Sequence, residues 1–158
     1  MTWDVEGPVQ AEIFVVWLNR ERLELTGPCG AAPWYVQLEP TQHPVEVVDR
    51  IVRNGLGSSP RLVHSTSWRS DRDAVILTFI VVADSADGMD SRRIDRTELA
   101  RSQATAAPAE VEHDQVLEHA LRHLAWLAAD DPVVAQELSD EWKSVLSSYV
   151  PEPFRNLG

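Results

Sequence analysis

His43-Pro-Val-Glu-Val-Val-Asp-Arg-Ile-Val-Arg-Asn-Gly-Leu-Gly57 is the stretch from which the rest of the chain can be placed. Val45, Val48, Ile51 and Val52 recur at spacings of three and four and leave Glu46, Asp49, Arg50 and Arg53 for the opposite side. This spacing predicts an amphipathic helix over 43–56. Pro44 suits its first turn, where a missing N–H costs no helical hydrogen bond. The run Asn54-Gly-Leu-Gly57 offers residues that tolerate the left-handed backbone with which helices end.

Outward from this helix the pattern turns to strands. Downstream, Arg61–Trp68 and Ala74–Ala83 are β-prone runs on either side of a polar turn, Arg69-Ser-Asp-Arg-Asp73. The second run is apolar almost throughout, so both of its faces must be covered, which requires a helix on at least one side of the sheet and an α+β fold. Upstream, Ala11–Leu18 is β-branched and aromatic, Asn19-Arg-Glu-Arg22 is a polar turn, and Leu23 and Leu25 alternate with Glu24, a hairpin pattern. Gly27-Pro-Cys-Gly30 and Pro33 then mark a loop before a third strand, Trp34–Leu38. Residues 84–112 hold no sustained period and read as a long connection. Val116, Leu117, Leu121, Leu124 and Leu127 form one face of a helix that begins near Asp114 and ends at Asp130-Asp-Pro132. A second helix over Val133–Tyr149 stops before Pro151. The expected organisation is one domain over 1–158: sheet and helix in 9–83, a connection in 84–112, and a C-terminal helical hairpin in 113–150.

Composition bounds the function. At 158 residues, 44% hydrophobic and 25% charged, the chain suits one globular domain. Its 25 acidic residues against 14 Lys and Arg give a net charge of −11, a field that repels phosphate backbones and anionic membranes. Neither nucleic acid nor membrane is expected as a partner. The single cysteine, Cys29, allows no intramolecular disulfide, and the acidic start Met1-Thr-Trp-Asp-Val-Glu lacks the basic and apolar regions of a signal peptide. The longest apolar run, Ile76–Ala83, falls well short of the ~20 residues that span a bilayer. A cytoplasmic location is expected.

The order of strand, hairpin, strand, glycine-ended helix, strand, turn and strand resembles the Nudix family over residues 9–83. That fold is a mixed sheet between helices. The family's box reads G-x5-E-x7-R-E-U-x-E-E-x-G-U, with U a bulky aliphatic residue. With Gly57 on the box glycine, Arg50 falls on the motif arginine and Val52 on the aliphatic position. The carboxylate positions depart from the family. The upstream glutamate is Gln42, the glutamate after the arginine is Ile51, and the paired glutamates are Asn54 and Gly55, while Val36 replaces the first glycine. In the family these glutamates hold a divalent metal, because hard cations need oxygen ligands with carboxylate charge. The resemblance therefore implies a Nudix-like fold without the usual metal-assisted hydrolysis and without a cofactor.

Other residues carry weaker chemistry. His119 and His123, four apart on one helix face, could chelate a transition metal, but no third ligand is apparent. Otherwise they are rim residues of a helix packed on the sheet. His64 and Thr66 are expected on one face of their strand and Ser65 and Ser67 on the other, which argues against a Ser-His nucleophile. Trp34 and Trp68, near strand ends, could stack on a planar ligand or simply pack. Glu110, Glu112, Asp114 and Glu118 suit the positive end of a helix dipole, and Asp131 suits an N-cap.

Three functions are open, one of them a purely structural partner subunit with an exposed apolar patch and no ligand-sized pocket. The leading one is a non-catalytic binding or protein-interaction module, with Trp34, Glu39, Glu46, Arg50 and Trp68 as ligand-binding candidates. An unidentified protein or small molecule is its partner, and a homodimer is expected through an aromatic-rich sheet edge. The rival is a hydrolase of nucleotide-like substrates, such as nucleoside diphosphate derivatives, that uses Glu39 and Glu46 as non-standard carboxylates.

Overall fold

The computed structural model describes residues 8–27, 33–86, 88–94 and 108–156, with side chains over 8–27, 33–86, 88–94 and 113–154. Cys29, Glu110 and Glu112 lie outside the described side chains. The long strand β1 (Val9–Asn19) organises the sheet. Its second half pairs antiparallel with β2 (Arg22–Thr26), and its first half pairs antiparallel with β3 (Trp34–Leu38). The helix α1 (Pro44–Leu56) follows, and then a hairpin of β4 (Leu62–Asp71) and β5 (Ala74–Val82), with β5 running parallel to β1. The strand β6 (Ser91–Arg93) pairs with β2, and β7 (Arg155–Asn156) adds in parallel to β4. The resulting order is β6-β2-β1-β5-β4-β7, with β3 on the β2 side of β1. The sheet is mixed, and the fold class is α+β.

Alternation along β1 and β5 builds two cores. Val9, Ala11, Ile13, Val15 and Trp17 point to the side of α1, where Val47, Val48 and Val52 meet them with Phe79 and Val81. Phe14, Val16, Ile80 and Val82 point to the other side, against Val116, Leu117, Ala120, Leu121 and Leu124 of α2 (Pro108–Asp130). The continuous apolar character of β5 thus reflects helices on both faces.

The helix α1 runs as the spacing predicts, with one shift in its buried stripe. Pro44, Val47, Val48 and Val52 are buried, whereas Val45 is exposed. Positions 44, 47, 48, 51 and 52 complete the three-and-four pattern, and Val45 lies off that stripe. Gly57 ends the helix in the left-handed region at φ 77°, and its N–H donates to Arg53 O at 2.9 Å.

Three expectations need correction. The last α2 turn ends at Asp130, but the second helix of the hairpin is two short pieces, α3 (Pro132–Glu137) and α4 (Asp140–Leu146). Leu138 adopts an extended backbone and Ser139 starts a new helix, its hydroxyl accepting from Trp142 N, so side-chain capping divides an otherwise continuous apolar period. Asp131 caps α3 as expected, accepting from Val133 N and Val134 N. The connection 84–112 contributes β6 and the first turn of α2, so it is shorter than its composition suggests. Finally, β4 bulges between Ser65 and Ser67: His64 pairs with Ile80 and Ser67 with Thr78, two residues apart on β5. His64 and Ser67 therefore share the α2 face, and the simple alternation over 64–67 does not hold.

The β1–β2 connection is a two-residue turn with positive φ at both central positions, 50° at Arg20 and 68° at Glu21. This is a type I′ turn, in which Asn-Gly is the favoured pair and non-glycine residues pay roughly 1–2 kcal/mol each. At the other glycine-dependent position, Gly57→Ala should lower stability by ~1 kcal/mol, because a Cβ is disfavoured at that φ. Urea denaturation with an unchanged slope would check it.

Candidate functional site

The α1 positions that the resemblance aligns with the Nudix box differ in environment. Arg50 is exposed, Ile51 is partly buried and packs into the core beneath the helix, and Asn54 is exposed. Gln42 lies before the helix, where its Oε1 accepts from Glu39 N at 2.9 Å. Gly55 has a different role from its neighbour Gly57. It lies inside α1, and a Cβ built on it would collide with Cη2 and Cζ3 of Trp34. Trp34 itself is 6% exposed, and its Nε1 has no hydrogen-bond partner among the described residues. The indole therefore fills the space beside the helix position where the motif carries a glutamate. It does not present an open stacking face.

The other candidates do not converge with it. Glu39 and Glu46 are both exposed, and Trp68 is partly buried opposite Leu77, on the α1 face of the sheet. No group of three or more His, Cys, Asp and Glu able to hold a metal ion occurs among the described residues.

The histidine pair does come together, but as a clamp. His119 Nδ1 lies 2.6 Å from Glu152 Oε2, and its Nε2 lies 3.2 Å from Thr66 O. His123 Nδ1 donates to Glu152 O at 2.9 Å, while its Nε2 is buried with no hydrogen-bond partner among the described residues. The two rings stack at 6.4 Å, and His123 stacks on Trp126 at 5.6 Å. Arg122 adds a contact to Glu152 Oε1 at 3.0 Å. Together these residues tie the segment before β7 onto α2, and each His119 nitrogen already faces an acceptor. Burial lowers the His123 pKa, aided by the nearby His64 and His119 and opposed by the Glu152 carbonyl.

Sequence reasoning missed a fully buried carboxylate. Glu12 is 0% exposed in the middle of β1, among apolar neighbours. Register places Tyr35, Glu12, Thr78 and Ser67 in one row across β3, β1, β5 and β4. Arg69 reaches into this row and makes a bidentate pair with Glu12, at 2.8 and 2.9 Å. The bulge in β4 makes this possible, since it sets Arg69 opposite Ile76 on the α2 face. Thr78 Oγ1 donates to Glu12 Oε1 at 3.2 Å, and Tyr35 Oη donates to Oε2 at 2.7 Å. His113, at the start of the described part of α2, lies 2.7 Å from Tyr35 Oη and 3.8 Å from Glu12 Oε2. Burial alone would raise the Glu12 pKa, but the hydrogen bonds and charge of Arg69, with Tyr35 and His113, outweigh it and hold the carboxyl below its usual value. A signal was available: a lone carboxylate inside Ala11-Glu-Ile-Phe-Val-Val16, in a strand with both faces covered, must find a cationic partner.

Comparisons with solved structures agree with this architecture. NrtR of Shewanella oneidensis matches with a TM-score of 0.64 and 12% identity, over 92% of this chain and 80% of that chain. The same protein complexed with a 27mer DNA matches with a TM-score of 0.58 and 14% identity, over 91% and 78%. The fold is Nudix-like. The C-terminal domain of mouse MUTYH, in complex with human PCNA, has a TM-score of 0.49 and 15% identity over 71% of this chain and 88% of that chain. No protein-family model matches the chain, and no curated protein matches it.

One partner expectation falls here. Net charge led to the exclusion of nucleic acid, yet NrtR, alike over 91% of this chain, is complexed with DNA. A Nudix-like fold is compatible with a nucleic-acid partner. Net charge is a sum over the whole surface, whereas contacts are made locally, within about a Debye length. No helix among the described residues is long and apolar enough to cross a membrane.

Three outcomes follow from these sites. Gly55→Ala should destabilise by ~1 kcal/mol, because overpacking of ~1–3 kcal/mol outweighs a helix-propensity gain of ~1 kcal/mol. In a Trp34→Leu background the same change should instead stabilise, and equal effects in both backgrounds would mean that the ring moves aside freely. Arg69→Met should cost about 3–5 kcal/mol in urea denaturation, because it strands a buried carboxylate. The lowered Glu12 pKa means that the folded state binds this proton less readily than the unfolded state. Its contribution is therefore present above the usual carboxylate value of 4.5 and is lost as pH falls through the lower folded value. A stability profile from pH 7 to 2 should show this acid loss, and Glu12→Gln should reduce it.

Proposed function

We propose that the chain is a non-catalytic Nudix-like binding module. One observation carries this reading: the Trp34 indole fills the space beside Gly55, at the helix position where the box places a metal-binding glutamate. A carboxylate restored at 55 would meet the ring, so the loss of the acid and the packing of Trp34 are one structural change. Ile51 supports the same reading, because it takes part in the core where the motif has another glutamate. Metal-assisted phosphoanhydride cleavage needs several oxygen ligands held together, and the side chains at 42, 51, 54 and 55 supply no carboxylate.

Ligand contacts on the α1 side then fall to the accessible residues Glu39, Glu46 and Arg50, with Trp68 partly accessible. Nucleic acid belongs among the ligand classes to be tried, because DNA accompanies NrtR, a protein of similar fold. The rival hydrolase reading requires Glu39 and Glu46 to share a metal. A screen of nucleoside diphosphate derivatives with Mg²⁺ and Mn²⁺ should detect no turnover above a protein-free control. Turnover that disappears in Glu46→Gln would overturn the non-catalytic reading.

A further inference from the structure

His119 and His123 stand one helical turn apart on α2 and make opposite demands on a proton. His119 has an acceptor at each nitrogen, with Glu152 Oε2 at 2.6 Å from Nδ1 and Thr66 O at 3.2 Å from Nε2. With Glu152 ionised, both contacts are hydrogen bonds only when both nitrogens carry hydrogen, so this position accommodates the charged ring. His123 is 2% exposed and has one acceptor, Glu152 O, which takes the Nδ1 hydrogen at 2.9 Å. Its Nε2 is buried and meets no acceptor among the described residues, so the neutral ring with its hydrogen on Nδ1 fits and the charged ring does not.

The surroundings of His123 sharpen this demand. The His64 ring of β4 lies 5.7 Å away and the His119 ring 6.4 Å, while Trp126 and Phe154 approach at 5.6 and 6.3 Å. The carboxylates of this cluster are already engaged: Glu118 and one Glu152 oxygen hold Arg122, and the other Glu152 oxygen faces His119. A proton added to His123 therefore makes a buried cation beside two imidazoles and a guanidinium, with no acceptor for the new N–H. What the histidines hold is the segment that leads into β7. Glu152 N donates to Arg122 O at 3.1 Å, Glu152 O accepts from His123, and β7 pairs with Ser67 and Trp68 of β4. Pro151, Pro153 and Phe154 are exposed, so little apolar burial opposes release of this segment.

We propose that His123 is the trigger of a proton-operated clasp, and that protonating it releases residues 151–156 from α2 and uncovers the edge of β4 at Ser67 and Trp68. An uncovered edge presents unpaired N–H and C=O groups to which another strand can add. Burial, with the His64 and His119 rings, lowers the His123 pKa from 6.5 while the clasp is closed. The open form therefore takes the proton more readily than the closed form. The clasp is at full strength above 6.5 and weakens as pH falls below that value towards the lower closed-state value. The device lies on the α2 face of the sheet, away from the box-like helix, so it stands whatever α1 binds.

The test is amide hydrogen exchange of the ¹⁵N-labelled full chain at pH 7.5 and pH 5.0, with rates corrected for the intrinsic pH dependence of exchange. The Glu152 amide should lose protection by roughly fivefold or more, the lower end of couplings between a ligand and a conformation. Core amides such as Val81, in the middle of the sheet, should keep theirs. This range lies above the usual carboxylate value of 4.5, so the acid loss at Glu12 does not enter it. The His123 ring, followed by its ¹³C shift, should titrate over the same range. His123→Gln keeps a side-chain donor for Glu152 O and cannot become charged, so the Glu152 amide should stay protected at pH 5.0. His64→Gln removes one imidazole beside His123 and leaves the clasp bonds in place, so the loss should shrink. If His123→Gln is already open at pH 7.5, His64→Gln decides by the same criterion. The proposal is overturned if the Glu152 amide is equally protected at both pH values, if core amides lose protection in parallel, or if the loss is undiminished in the variant that decides.

Discussion

The Glu12–Arg69 pair is the constraint around which the sheet is arranged. A carboxylate in the middle of a strand covered on both faces would be costly to ionise without a partner, and here a guanidinium from β4 reaches it across the intervening β5. The pair fixes register. Thr78 must lie beside Glu12 to donate to it, which sets β5 against β1, and Ser67 must face Thr78, which sets β4 against β5. Tyr35 extends the same row to β3, and its hydroxyl meets His113 of α2. Sliding any of these strands by one residue would turn its polar member into the opposite apolar core. The bulge in β4 belongs to the same arrangement, because it brings Arg69 to the face that Glu12 occupies.

How far the sequence reveals this structure depends on the range of the interactions. The helix before Gly57, the two hairpins, the two-sided burial of β5 and the Asp131 cap all follow from local period and turn chemistry. The bulge does not, since Ser65-Thr-Ser67 contains no glycine and looks like ordinary strand. Nor does the match between Gly55 and Trp34. A helical glycine next to a terminal glycine reads as part of the stop signal, and only the packed sheet shows that a ring needs its space. Residue type alone suggests that Trp34 is a stacking platform and that His119 and His123 could chelate. Burial makes the first a core residue, and Glu152 and Thr66 make the second pair a clamp.

The residues at the positions aligned with the box are coupled by packing. Removing a carboxylate from the surface of a helix would ordinarily leave a vacant polar site, which a single substitution could refill. In this chain the apolar residues Ile51 and Trp34 are part of the α1 core. Restoring the acid at 55 would therefore cost packing as well as add charge, and the two requirements conflict. A core extended in this way stabilises the fold, and a side chain at 55 would disturb it, while the exposed surfaces do not depend on it.

Those surfaces are not described by the net charge. Several carboxylates are tied into pairs, which leaves the sum of −11 unchanged: Asp49 with Arg53, Asp84 with Arg61, Asp114 with Arg92, and Glu118 and Glu152 with Arg122. Each pair largely cancels its own field beyond about 8 Å at physiological salt. An approaching ligand therefore responds to the unpaired charges of both signs near it as well as to the total of −11. The overall charge sets solubility and long-range repulsion, while the choice of ligand is made by the few groups that pairing leaves over.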